Sequence, residues 1–343
     1  MIPGLWGPHS ASLVPVLLSF AFHPNPHTWP PPPSASCSPF FTPRGARKGL
    51  KMAAHDAADD WLPLVDFSSM SEEEAARKVV SGLQGSGFLY VKCQETLPGT
   101  YLDTVRQRLS DIFQPGGEVG AKFAAVVQKH AKDPKSHCML EGGLAKYRGG
   151  EQADEVIVDY WQRLDALKVR VLEALARGLG LEKDHLSKRH VKGNDSLRLL
   201  HYPAQPGAGD GGLRCKEHSD YGTITLLLTD ECKGLQVLRE GAGWCDVPYK
   251  EGALVVNAGS LLKDWTGGAV KATLHRVVAP AEYVGRHRYS AALFVDPDED
   301  VTLTDQGDAD VRGMSVAEYI KWRSGEGDSV PFAAGEGQRA EGI

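Results

Sequence analysis

Residues 215–231 read CKEHSDYGTITLLLTDE. His218 stands two residues before Asp220, and a β-type apolar run follows at once. Side chains on a strand alternate faces, so positions i and i+2 share a side. An extended chain here presents a nitrogen and an oxygen ligand together, where a core strand is about to begin. Two groups hold a metal poorly, so the stretch calls for a third ligand elsewhere.

Downstream, the apolar pattern has period two. SLRLLHYP (196–203), GTITLLLT (222–229), GLQVLRE (234–240), WCDVP (244–248), ALVVNAG (253–259), TLHRVVAP (273–280) and RYSAALFVDP (288–297) are short β-type runs separated by turns. Such a series predicts an antiparallel sandwich or barrel. Upstream, Tyr160, Leu164, Leu167, Val171 and Leu175 recur at three- and four-residue steps, which predicts an amphipathic helix over 154–178 that braces the sheet from outside. WLPLVDF (61–67) and GFLYVK (87–92) read as two strands flanking a helix. Ser71 with Glu74 is a capping-box signature for that helix, and Gly85 is placed to stop it. Further helices are expected over about 100–112 and over 316–323. The glycine-rich stretch 114–150 suggests part of a lid.

The third ligand candidate is His275, 55 residues past Asp220. That separation lets several strands return to one barrel mouth. Two imidazoles and a carboxylate occupy one side of an octahedral ferrous ion and leave three positions open. A catalytic zinc site accepts the same donors, so ligand identity alone does not choose the metal. Arg288 and Ser290 again stand at i and i+2. A guanidinium fork and a hydroxyl make an anchor for a carboxylate, with Tyr202 as a further hydroxyl. A small dicarboxylic acid whose other end reaches the metal fits this arrangement, and 2-oxoglutarate is such a molecule.

With these residues in place, the chain resembles the iron(II)- and 2-oxoglutarate-dependent dioxygenases of the isopenicillin N synthase-like branch. The resemblance runs from about Leu62 to Arg323 and includes LPLVDF, GFLYV, HSDYGTITLL, GLQV, VVNAGSLLKDWTGG (255–268), LHRV and RYS. It implies a mainly β α+β fold, a double-stranded β-helix (jelly roll) braced by helices, with an α/β N-terminal region. It implies His218, Asp220 and His275 as metal ligands, and Arg288, Ser290 and Tyr202 as the 2-oxoglutarate contacts. The implied cofactors are Fe(2+), 2-oxoglutarate and O2, with ascorbate as a stimulant. The implied reaction oxidises a small organic metabolite by hydroxylation, desaturation or cyclisation, with release of succinate and CO2. Two departures are visible. Ser260 replaces an acid common after N-x-G, and a longer turn before Arg288 admits Arg286 as a rival anchor. A 2-oxoglutarate-independent oxidase of the same fold, a non-catalytic metal-binding jelly roll and a zinc hydrolase are the alternative readings; the last lacks H-E-x-x-H.

Composition frames this reading. Residues 1–58 are expected to be a disordered Pro-rich extension or a targeting segment, with Met52 as an alternative start; 11 of the 21 prolines fall in 1–55. The α/β region is then 59–150, the long helix and jelly roll 151–323, and the tail 324–343 flexible. The formal net charge is −6, and the four cations of 1–55, which contains no acid, leave −10 on the remainder. That balance argues against nucleic acid and anionic membrane as partners. No apolar run reaches the ~18 residues of a membrane span. The six cysteines form no C-x-x-C pair and read as reduced thiols. A monomer acting in the cytoplasm on a small molecule is expected, organelle targeting through 1–51 being the alternative. No local run of lysine or arginine advertises an anionic substrate. His201 and His287 are read as structural or exposed.

Overall fold

The structure is a computed structural model that describes residues 61–120, 137–140, 154–205, 212–303, 311 and 313–324. All of them belong to one compact unit of the chain, 53–343. The expectations for 1–58, for the tail beyond Ser324 and for most of the 114–150 lid lie outside the described residues.

The chain opens with β1 (Leu64–Asp66), α1 (Glu72–Gly85), β2 (Phe88–Lys92) and α2 (Gly99–Phe113). The Ser71 hydroxyl accepts the Glu74 amide at 3.2 Å, as the capping signature predicts. Gly85 does not stop α1 but is its last residue; Gly87, at φ +78°, makes the left-handed turn into β2. A short strand, β3 (His137–Leu140), precedes the long α3 (Glu155–Gly178), whose Asp154 side chain caps the Val156 and Ile157 amides. Every member of the stripe from Tyr160 to Leu175 is fully buried. It packs with α1, α2 and the outer face of the larger sheet.

The β core follows: β4 (Ser196–Tyr202), β5 (Leu213–His218), β6 (Ile224–Thr229), β7 (Leu235–Arg239), β8 (Gly243–Asp246), β9 (Leu254–Ala258), β10 (His275–Val278) and β11 (Arg288–Val295). A short helix, α4 (Ser260–Trp265), sits between β9 and β10, and α5 (Val316–Ser324) follows the core. The strands form a seven-stranded sheet, β1-β2-β9-β6-β11-β4-β3, and a four-stranded sheet, β5-β10-β7-β8. Each of the seven period-two runs contains a strand. The β1–α1–β2 region extends the larger sheet by pairing β2 with β9.

Alternation sorts this sheet's side chains into two cores. Leu197, Leu199, Leu226, Leu254, Val256, Ala291, Leu293 and Val295 face the helices. Phe88, Tyr90 and Val255 face Leu235, Val237 and Val277 of the smaller sheet. Between the sheets, the apolar filling gives way to a cavity of about 580 Å³.

The link from β5 to β6 carries the chain from one sheet to the other. Its carbonyls are pinned by the start of α4: the Ser260, Leu261 and Gly259 amides donate to Asp220, Tyr221 and Thr223. These are first-turn donors that have no partner inside the helix, so the turn and the helix satisfy each other. The approach is backbone on backbone. A Cβ added at Gly259 would lie 2.2 Å from the Gly222 carbonyl oxygen. Gly259→Ala is therefore expected to cost about 1–3 kcal/mol of stability and to weaken metal binding, measured by urea unfolding and by metal titration. An unaltered variant would show that this contact yields freely.

His190 props the same turn. It is buried, its Nδ1 donates to the Leu186 carbonyl at 2.7 Å, and its Nε2 accepts from the Thr223 hydroxyl at 2.9 Å. Burial pushes its pKa down to about 4. Below pH 6.5 the unfolded chain takes up this proton first, so stability is complete above 6.5 and falls as the pH drops towards 4. The expected loss is roughly 3 kcal/mol. Denaturant midpoints at pH 7, 5 and 4 check it, and His190→Gln is expected to flatten the profile.

Candidate active site

His218 is the last residue of β5 and His275 the first of β10, and the two are register partners in the smaller sheet. Their rings lie 4.3 Å apart, centroid to centroid. Asp220 does not share a strand face with His218, as the i, i+2 reading expects. It stands two residues beyond the end of β5, in the turn that crosses between sheets. The crossing forbids an extended chain there, yet it aims the carboxylate back at both imidazoles. Asp220 Oδ1 lies 3.7 Å from the Nε2 of His218 and 3.7 Å from the Nε2 of His275. One donor atom from each residue falls within 4.8 Å of the others, a grouping that can hold a metal ion.

Each ligand candidate is oriented through its other end. His218 Nδ1 faces the Lys216 carbonyl at 2.8 Å, and His275 Nδ1 faces the Thr273 carbonyl at 3.2 Å. A proton on each Nδ1 leaves both Nε2 lone pairs directed at the site. Asp220 Oδ2 accepts from the Thr225 hydroxyl and from Asn257 Nδ2 at 2.8 Å, which leaves Oδ1 for a metal. Sequence reasoning passed over Thr225 and Asn257. Their signal is position: both fall on the inward face of strands beside the turn.

The charges respond to this crowding. Burial pushes the Asp220 carboxyl up, but His275, His218 and the bonds from Asn257 and Thr225 together hold it below the usual range. Burial draws His218 down, but the Cys215 thiol, 3.8 Å from Nδ1, and the Asp220 charge push it up to about 9. Burial dominates at His275 and lowers it.

The cavity continues from this cluster to Arg288, Ser290 and Tyr202. Arg288 and Ser290 share the inward face of β11, and Arg288 pairs in register with Tyr202 of β4. The Arg288 side chain is 2 % exposed, and its Nε has no partner among the described residues. Its Nη1 reaches only the Ser290 hydroxyl, at 3.4 Å, and its guanidinium lies 5.3 Å from the Tyr202 ring centre. A buried guanidinium with an orphan donor, aimed into a cavity, fits a carboxylate ligand. Arg286 is exposed, lies over the Tyr283 ring and does not line the cavity. His201 and His287 lie on the other side of the sheet, joined at 2.8 Å and stacked with Tyr289. Ser260 binds the Ser219 hydroxyl and accepts from Arg323 of α5. Cys93, Cys215, Cys232 and Cys245 are free thiols.

A two-histidine, one-carboxylate cluster that could hold a metal ion thus shares one cavity of the β core with a buried arginine. Residues 193–297 match the family model described as the 2OG-Fe(II) oxygenase superfamily. A 2-oxoglutarate-dependent dioxygenase of Aspergillus rugulosus, htyE, is 38% identical over 154 residues, 42% of this chain and 47% of that protein. A coumaroyl CoA and feruloyl CoA ortho-hydroxylase of Ipomoea batatas is 27% identical over 70% of this chain and 71% of its own. The alignments span about half the length of the first curated relatives. Among solved structures, a full-length Neurospora crassa protein in complex with alpha-KG and 5-formyluracil superposes with a TM-score of 0.62 at 26% identity. The match covers 80% of this chain and 99% of the Neurospora chain.

Proposed function

We propose that this chain is an iron(II)- and 2-oxoglutarate-dependent dioxygenase that oxidises a small organic molecule. The observation that carries the reading is the pairing, in one cavity, of the His218–Asp220–His275 cluster with the orphan donor of buried Arg288. His218, Asp220 and His275 would hold the ferrous ion through Nε2, Oδ1 and Nε2. Arg288 and Ser290, with Tyr202 beside them, would hold the distal carboxylate of 2-oxoglutarate. Bound together, iron, 2-oxoglutarate and O2 supply the oxidising power, with succinate and CO2 as by-products. The chain's part is positional: Thr225 and Asn257 fix one oxygen of Asp220, the Lys216 and Thr273 carbonyls fix the ring orientations, and Phe88 packs edge-on to His275. The apolar walls from Leu200, Leu227, Leu235 and Val277 limit water around the reacting groups.

We read the protein further as a cytoplasmic monomer without nucleic-acid or membrane partners. The acidic charge supports the latter, and no helix among the described residues is long and apolar enough to cross a membrane. The buried arginine suits any carboxylate, so an oxidase of the same fold that dispenses with 2-oxoglutarate is the alternative that the test must separate. The test is a metabolite extract incubated with the protein, ferrous iron, ascorbate and 2-oxoglutarate. Succinate should appear in step with one consumed metabolite. Turnover of a metabolite without succinate points to the oxidase, and absence of ferrous-iron binding in anaerobic titration ends the proposal.

A further inference from the structure

Among the charged side chains that line the cavity, Arg198 is one that the function above does not use. Arg198 lies on the inward face of β4, between Leu197 and Leu199, which face the helices. Its register partner on β11 is Ala292, whereas Tyr202 pairs with Arg288. Four residue steps along the strand separate the two pairs, about 14 Å at ~3.4 Å per residue. Arg198 thus stands well away from the 2-oxoglutarate anchor. Its guanidinium lies 5.0 Å from the ring centre of Phe294, which also lines the cavity. Phe294 pairs with Thr225, the residue whose hydroxyl holds Asp220. Arg198 and Phe294 therefore belong to the metal end of the cavity, where a molecule other than 2-oxoglutarate is to be oxidised.

We propose that Arg198, set over Phe294, recognises the carboxylate of the organic substrate, so that the substrate is a small organic acid. The inference rests on the function proposed above. An arginine among Leu200, Ala292 and Phe294 is costly for packing alone, since an apolar residue fills the same space without desolvating a charge. A guanidinium carries five N–H donors, more than a single carboxylate or carbonyl partner engages. Lying over a ring, it offers its edge as a fork, which suits a carboxylate better than a single carbonyl. The charge of the lining points the same way. Arg198, Arg214, Lys216 and Arg288 line the cavity from three strands, and among the described residues Asp220 is the only acid with them. The linear sequence shows no basic cluster; the fold assembles one. Iron and 2-oxoglutarate together add no net charge, so the loaded cavity still attracts an anion.

The probes are a panel of aryl and alkyl monocarboxylic acids, from benzoate to decanoate, each with its primary amide. Binding is followed anaerobically by ligand-induced thermal shift of the iron- and 2-oxoglutarate-loaded protein, and 2-oxoglutarate binding is titrated separately. Acids should bind more tightly than their amides. Arg198→Gln should weaken the best acid at least tenfold, Arg198→Lys should restore part of that loss, and neither should alter the affinity for 2-oxoglutarate. A panel in which no acid outbinds its amide overturns the proposal, as does equal binding by Arg198→Gln. Weakened 2-oxoglutarate binding in Arg198→Gln overturns it too, because Arg198 then serves the co-substrate. Failure of the unaltered protein to bind iron or 2-oxoglutarate sinks the function reading instead.

Discussion

Asp220→Ala is expected to abolish iron-dependent turnover and to weaken metal binding more than 100-fold. Removing a partner that merely orients a ligand typically costs 10–100-fold, and here the ligand itself goes, with the one negative charge of the cluster. Two imidazoles 4.3 Å apart remain, and they repel each other once both are protonated. The backbone should survive. The turn is held by main-chain bonds from α4 and by His190 through Thr223, none of which uses the Asp220 carboxylate. Unfolding midpoints of the metal-free proteins should therefore agree far better than their metal affinities. Manganese titration followed by electron paramagnetic resonance reads the affinity. Full activity in Asp220→Ala would remove the carboxylate from the ligand set and with it the assignment.

The same residue marks the limit of what the linear pattern reveals. Alternation placed Arg288 with Ser290 on one face, and β11 keeps them there because it stays paired with β4 through both residues. Alternation failed for His218 and Asp220, because the chain leaves the smaller sheet between them, and a two-residue spacing does not distinguish a strand from a turn that restores the same aim. β5 stands outside the series of period-two apolar runs for a related reason. Its sequence LRCKEH is half-exposed on a four-stranded sheet, so it carries no apolar run. Gly259 and Asn257 were legible only as members of a family motif. Their physical roles, an approach of 2.2 Å to the Gly222 carbonyl and a bond of 2.8 Å to Asp220, depend on strands brought together from distant parts of the chain. The amphipathic stripe of α3 and the cap at Ser71 rest on local rules and were fully legible.

Arg288→Ala should leave iron binding intact and raise the 2-oxoglutarate concentration needed for half-maximal turnover about 100-fold, the equivalent of ~2.8 kcal/mol. That size suits the loss of a charge-assisted fork to a carboxylate in a buried site. The side chain is 2 % exposed, and its Nε is unsatisfied, so its best hydrogen bonds form only when a ligand arrives. Asp230 bonds the Tyr289 and Cys232 amides, and the Arg288 charge partly offsets the burial that raises its pKa. Asp230 therefore helps carry the guanidinium's charge while the cavity waits for a ligand, but it does not fill Nε. A thermodynamic signature separates this role from a structural one. At a concentration 100 times the unaltered protein's Kd, 2-oxoglutarate should stabilise that protein by ~2.7 kcal/mol, and a variant binding 100-fold less tightly by only ~0.4 kcal/mol. Unfolding with and without 2-oxoglutarate measures both. If the variant is simply less stable, its unfolding shifts equally in the two conditions and the ligand increment survives; if Arg288 is the anchor, the increment itself collapses.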